Sequence, residues 1–115
     1  PEARLVLIGA GHVAQAVAPV AAGVGFRVVV VDDRDDLLGH PAFAAADRHA
    51  RDVDELETAL PDLSDADYLL IVTRDHARDE QALAHLLRRP HRYLGMIGSV
   101  RKVHAIVARV VRKEH

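Results

Sequence analysis

Gly9-Ala10-Gly11-His12-Val13-Ala14 spells G-x-G-x-x-A, a spacing suited to a backbone that closes tightly on an anion. In that pattern Gly9 permits a sharp turn, Gly11 lets the main chain approach a pyrophosphate, and Ala14 allows a helix to lie close against a strand. Small residues at this spacing also arise by chance, and the plain alternative is that the glycines serve only the turn. Asp32 stands about 20 residues further on, where an acidic side chain accepts hydrogen bonds from ribose hydroxyls. This favours a ribose without a 2′-phosphate, although Asp33 and Arg34 follow at once and an arginine there accommodates such a phosphate. A third group, Thr73-Arg74-Asp75-His76, and a fourth, Gly98-Ser99, add polar or glycine positions. His76 is as well suited to a local capping or packing role as to ligand contact or proton transfer. His12 and His76 do not suffice for a metal site, since zinc needs three or four ligands and the sequence offers no thiolate. His40, His49, His85, His91, His104 and His115 are expected to be solvated.

The elements that must carry these groups are read from apolar periodicity. Arg4 to Gly9 is a short apolar run without alternation, as expected of a strand buried on both faces of a parallel sheet. Val13, Ala14, Val17, Ala18, Ala21 and Ala22 recur at helical spacing, and Gly23 and Gly25 end the pattern. Phe26 to Asp32 is a second β-branched run, completing a strand, turn, helix and strand. Between Asp33 and Ala50 the pattern is weak: a helical turn is expected over Pro41 to Ala46 and an edge strand over His49 to Val53. Asp54 with Glu57 resembles a capping box for a short helix through Leu60, stopped by Pro61. Strand four is expected over Tyr68 to Thr73, a helix from about Asp79 to Arg89, and strand five over Tyr93 to Ile97. A final helix then begins at Gly98-Ser99, with Val103, Ile106, Val107, Val110 and Val111 on one side and basic residues largely on the other.

Strands that alternate with helices imply a parallel α/β sheet. The glycine turn between the first strand and helix identifies the Rossmann type: a doubly wound sheet of about five strands, order 3-2-1-4-5, with helices on both faces. That order makes strands one and four neighbours, so His12, Asp75, His76 and Ser99 are expected to converge on one anion-accepting crevice at the switch point. The expected cofactor-binding set is Gly9, Ala10, Gly11, His12, Val13, Asp32, Thr73, Asp75, His76, Gly98 and Ser99, with no metal and NAD or NADP as the ligand.

The 115 residues, half of them apolar and with a formal charge of −2, suit one domain over residues 1–115. Basic residues are interleaved with acidic ones, which argues against nucleic acid as a partner. No apolar run approaches the roughly 20 residues of a bilayer span, so no membrane partner and a cytoplasmic location are expected. The lack of cysteine agrees with a reducing compartment and excludes persulfide chemistry on these residues. Pro1 stands just before the first strand, and the expectation is a longer chain with a further N-terminal domain.

Leu5 to Val17, Val28 to Asp32, Thr73 to His76 and Tyr93 to Lys102 together (L-V-L-I-G-A-G-H-V-A-Q-A-V, V-V-V-V-D, T-R-D-H and Y-L-G-M-I-G-S-V-R-K) resemble the C-terminal Rossmann domain of the xanthine dehydrogenase accessory factor family, the XdhC/CoxI type. The resemblance implies an accessory role: binding molybdenum cofactor, protecting it, and assisting its sulfuration and insertion into a molybdenum hydroxylase. It also implies that hydroxylase and a cysteine desulfurase as candidate partners, with a homodimer as a further candidate. The family pattern commonly has histidine at Arg74, often proline at Asp33 and often arginine at Val100, so the detail of the crevice is expected to differ. Two other readings stand beside it. One is an NAD-dependent oxidoreductase domain with His12 or His76 moving the proton; the other is a regulatory NAD-sensing domain that needs only the glycines and Asp32.

Overall fold

The computed structural model describes the backbone of residues 3–98 and 100–114 and the side chains of residues 3–98 and 104–112. The elements run β1 (Arg4–Ile8), α1 (His12–Gly23), β2 (Arg27–Asp32), α2 (Asp35–Leu38), a 3-10 turn (Pro41–Phe43), β3 (Asp47–Ala50), a second 3-10 turn (Val53–Glu55), α3 (Leu56–Ala59), β4 (Asp67–Ile71), α4 (His76–Leu86), β5 (Tyr93–Met96) and α5 (Val100–Glu114). The strands form one parallel sheet in the order β3-β2-β1-β4-β5, the Rossmann order expected from the sequence.

Successive residues of a strand face opposite sides of the sheet, and the core divides accordingly. Leu7, Val28 and Val30 point to one side, where they meet Ala14, Ala18 and Ala21 of α1 and Phe43. Val6, Ile8, Val29, Val31, Leu69 and Ile71 point to the other, against Leu56 of α3, Ala82 and Leu86 of α4, and Ile106 and Val110 of α5. Apolar groups on both faces explain why β1 and β2 read as unbroken apolar runs. The alanines of α1 stand at helical spacing on its buried side, where a small side chain lets the helix axis approach the sheet closely.

Several local expectations are corrected. The edge strand lies at Asp47–Ala50, in register with Val29 to Asp32, and not at His49 to Val53. Its pattern is weak because β3 lies at the sheet edge and its residues are exposed or half-buried. Asp54 and Glu57 form no capping box: Asp52 accepts the Val53 N–H at 2.7 Å and starts a 3-10 turn, and α3 follows without a side-chain cap. The fourth helix begins at His76, three residues before the expected Asp79, because the Asp75 carboxylate accepts the Arg78 N–H at 2.8 Å as its cap. Of the helical turn expected over Pro41 to Ala46, Pro41–Phe43 forms as a 3-10 segment, and the short helix α2 precedes it; strand four runs Asp67–Ile71 and strand five Tyr93–Met96, each ending short of the expected bounds.

At the opposite edge from the glycine turn, Arg4 and Asp67 face each other across the β1–β4 pair. Arg4 Nε and Nη2 donate to the two Asp67 oxygens at 2.8 and 2.7 Å, and the Ser64 N–H donates to the same carboxylate at 2.9 Å. The bond from Arg4 holds the Asp67 carboxyl below its ordinary value. A lowered folded value means that the pair stabilises the protein above the unfolded value of about 4 and that this stability is lost as pH falls below it. Asp67→Asn should therefore lower unfolding free energy at pH 7 by about 2 to 3 kcal/mol and flatten the loss of stability below about pH 4. Urea denaturation of both proteins across that range checks the sign and the slope.

Candidate functional site at the carboxyl edge of the sheet

Beyond the last paired residues of the strands, three backbone bonds continue the sheet into its loops. Gly9 N–H donates to the Val31 carbonyl at 2.8 Å, Val72 N–H to that of Ile8 at 2.9 Å, and Ile97 N–H to that of Ile71 at 3.1 Å. The glycine turn, the Thr73–His76 loop and Gly98 thus leave adjacent strands at one edge. Ser99, expected in the same crevice, lies outside the described residues.

The two glycines of the turn do different work. Gly9 has φ +121°, and a β-carbon on it would sit 2.4 Å from the Val72 carbonyl oxygen. No side chain fits there, whatever the ligand. Gly11 has φ −81° and ψ −162°, an extended conformation open to any residue, and a β-carbon on it would meet nothing within 4 Å. The fold does not require glycine at Gly11; a clear approach to the backbone is what its missing side chain provides. Gly11 is the N-cap of α1, with no side-chain cap and no acidic residue in the first turn. The first N–H groups of a helix have no intrahelical acceptor and lie at the positive end of its dipole, so this end of α1 suits an anion. His12 and Val13 are exposed in that first turn. The Ala10 N–H is already taken by Asp32 Oδ2 at 2.8 Å.

Asp32 is only 6 % exposed, and both of its oxygens are engaged. Oδ2 accepts from Ala10 N and from Arg34 Nη2 at 2.9 Å; Oδ1 accepts from Arg34 N at 2.7 Å and Arg34 Nε at 3.0 Å. Four bonds use the accepting capacity of a carboxylate. Asp33 is gripped from across the crevice, where Arg74 Nη1 and Nη2 donate to its two oxygens at 2.6 and 3.0 Å and hold its carboxyl well below the usual range. Arg74 and Asp33 are therefore partners of each other. Arg78 donates to Asp75 Oδ2 at 2.7 Å and to both Asp52 oxygens at 3.1 Å.

On the β4 side, Thr73 Oγ1 lies 2.5 Å from Asp79 Oδ1, and its N–H donates to the same oxygen at 3.2 Å. Asp75 is occupied as the cap of α4, where the Arg78 N–H holds its carboxyl below the ordinary value. His76 is the exposed first residue of that helix. Sequence reasoning misses Arg78 and Asp52. Asp75 and Arg78 at i and i+3 carry a signal, whereas the Arg78–Asp52 pair joins distant segments and carries none. Of the histidines expected to be solvated, His85 is partly buried beside Arg89 at 3.2 Å, and burial pushes its pKa down. His91 lies 2.8 Å from the Arg89 carbonyl and His40 accepts the Ala42 N–H at 3.0 Å. Among the described residues no group of three or more His, Cys, Asp or Glu is placed to hold a metal, and no helix is long and apolar enough to cross a membrane.

The sequence pattern of the XdhC Rossmann domain matches residues 5–115. The chain belongs to the XdhC Rossmann domain family. It is 36 % identical over 112 residues to the uncharacterized protein YqeB of Escherichia coli K12, covering 96 % of this chain and 20 % of that protein. It is 28 % identical over 115 residues to a probable xanthine dehydrogenase subunit of Bacillus subtilis 168, covering 94 % of this chain and 33 % of that one. Among solved structures, a xanthine dehydrogenase of Bacillus halodurans superposes with a TM-score of 0.82 at 29 % identity, over 94 % of this chain and 32 % of that one. The ADP complex of N5-carboxyaminoimidazole ribonucleotide synthetase, with a TM-score of 0.58 at 23 % identity over 82 % of this chain and 23 % of that one, shares the fold alone. This XdhC-type domain thus spans a fifth to a third of the length of the curated relatives it matches.

The different constraints on the two glycines set up a direct comparison. Gly9→Ala should cost about 2 to 4 kcal/mol, from the unfavourable φ and the clash with Val72. Gly11→Ala should stay within about 1 kcal/mol of the parent protein. Urea unfolding of the two variants measures both; similar losses would show that Gly11 too is held by the fold.

Proposed function

We propose that this domain receives the phosphate-bearing end of an anionic cofactor at the start of α1, as part of an accessory factor that matures a molybdenum hydroxylase of the xanthine dehydrogenase type. The observation that carries the reading is Gly11: its conformation suits any residue, a β-carbon would stand in open space, and the helix it opens has no cap of its own. Such a turn suits either the pyrophosphate of a dinucleotide or the phosphate of a molybdopterin. The match to the XdhC Rossmann domain family and the relatives named for xanthine dehydrogenase support a role tied to an enzyme of that type.

When bound, the molybdenum cofactor would supply a pterin-held metal for delivery to the hydroxylase; the residues here hold and orient its anionic end. The amides of Gly11, His12 and Val13 would donate to phosphate oxygens, as helix N-termini do. His12, exposed beside them, adds a ring N–H able to donate to the same group. Thr73 borders the glycine turn from the β4 side. Sulfuration requires a sulfur carrier, and this sequence has no cysteine on which a persulfide could form. That step accordingly belongs to a partner such as a cysteine desulfurase or to another part of the assembly.

Calorimetric titration with a purified molybdopterin species, NAD and NADP tests the reading. At least one of them should bind the parent protein, and Gly11→Val should lose that binding while its far-ultraviolet circular dichroism is unchanged, because the added side chain fills the approach to the backbone. Undiminished affinity in Gly11→Val, or no binding of any of the three by the parent protein, overturns it.

A further inference from the structure

The β2 side of the same crevice is filled by the protein's own charges. In a Rossmann site the acidic residue at the end of β2 takes the ribose hydroxyls of a dinucleotide. Here Arg34 folds back onto Asp32 from the same loop, and Arg74 reaches across from the β4 loop to clasp Asp33 with two bonds. Arg74 Nη1 also lies 3.7 Å from Asp32 Oδ1, and Arg78 Nη2 lies 3.8 Å from Asp33 Oδ2, so the pairs form one connected cluster. The cleft left between Gly9, Asp32, Asp33, Thr73, Arg74 and Arg78 has a volume of about 10 Å³. That is the room of roughly one water molecule, whereas sites for small organic ligands are on the order of 300 Å³ or more.

We propose that Arg34 and Arg74, clasped to Asp32 and Asp33, are specificity-determining residues: they plug the ribose place beside β2 and restrict the glycine turn to phosphate ligands that carry no adenosine on that side. The proposal rests on the phosphate reading of Gly11 and narrows its ligand class. A phosphate in front of α1 leaves the plug intact. A dinucleotide must break the Asp33–Arg74 clasp and displace Arg34 before its ribose can reach Asp32, whose accepting positions are all in use. A 2′-phosphate gains little from these arginines, because each guanidinium is already matched to a carboxylate and Arg34, Arg74 and Arg78 stand among Asp32, Asp33, Asp52 and Asp75. Arg74 and Asp33 line the cleft and Arg34 covers Asp32, and all three side chains are about one-third exposed, so truncating them removes no core.

The test compares the parent protein with Arg34→Ala/Arg74→Ala in calorimetric titrations with inorganic pyrophosphate and with NAD. Pyrophosphate should bind both proteins. NAD should bind the double variant about tenfold to a hundredfold more tightly than the parent, the range for hydrogen bonds to a carboxylate newly free to accept. If the arginines merely attracted anions, their removal would weaken NAD, so the sign of the change decides. NAD binding that is equal in the two proteins, weaker in the variant or absent from both overturns the plug. Absence of pyrophosphate binding from the parent protein overturns the phosphate reading instead. Asp33→Asn, which weakens the clasp without shortening a side chain, should give part of the same gain; no gain from it in a setting where the double variant fails to fold also overturns the plug.

Discussion

The backbone of the turn after β1 rests directly on the backbone leaving β4, with no space for even a methyl group between Gly9 and the Val72 carbonyl. The rest of the crevice takes its position from this approach. It requires β1 and β4 to be neighbours, which the parallel register from Arg4 and Asp67 to Ile8 and Ile71 provides. Neighbouring parallel strands joined by right-handed crossovers then place α1 and α4 on opposite faces, with both helix starts at the same edge of the sheet. The Arg4–Asp67 pair locks the far end of these two strands, so the register at the glycine turn is anchored from both ends.

The central part of this fold is legible in the sequence because its physical signals are strong and local. β1, β2 and β4 are apolar on both faces, and a run such as Val28 to Val31 has few competing interpretations. α1 can be recognised from the spacing of Ala14, Ala18 and Ala21, which form its buried side. The second quarter of the chain resists reading because its elements are short and lie at or near an edge. β3 has four residues and α2 and α3 four each, so none completes enough periods to stand out. The start of α4 is obscured for a different reason: its cap is Asp75, inside a polar stretch that looks like site residues, so a carboxylate with a structural duty resembles one open to a ligand.

The same ambiguity runs through the site. The residue types at Gly9, Gly11, Asp32 and Thr73 are legible, yet their surroundings are not, because pairs such as Arg74 with Asp33 and Arg78 with Asp52 join distant segments. An aspartate at the end of β2 has one appearance in sequence whether it is free for a ribose or saturated by a nearby arginine. Only geometry separates the cases, and here it assigns Asp32 to the Ala10 amide and Arg34. Asp32 therefore pins the glycine turn to β2 even when no ligand is present.

Two helices begin at this crevice, and a single difference in residue type separates their capacities. α4 opens with Asp75, whose carboxylate accepts the Arg78 amide, and Asp79 in its first turn adds a second negative group. Its positive end is thereby satisfied from within the chain. α1 opens with Gly11, which has no side chain to turn inward, and its first turn holds no acidic residue. An intrinsic cap stabilises a helix by about 1 kcal/mol, so leaving α1 without one forgoes that stability while keeping its amides available. An anion arriving at this edge would find the start of α4 already satisfied and the first amides of α1 without an intrahelical acceptor. The suitability of α1 over α4 for an anion thus follows from which helix caps itself and which does not.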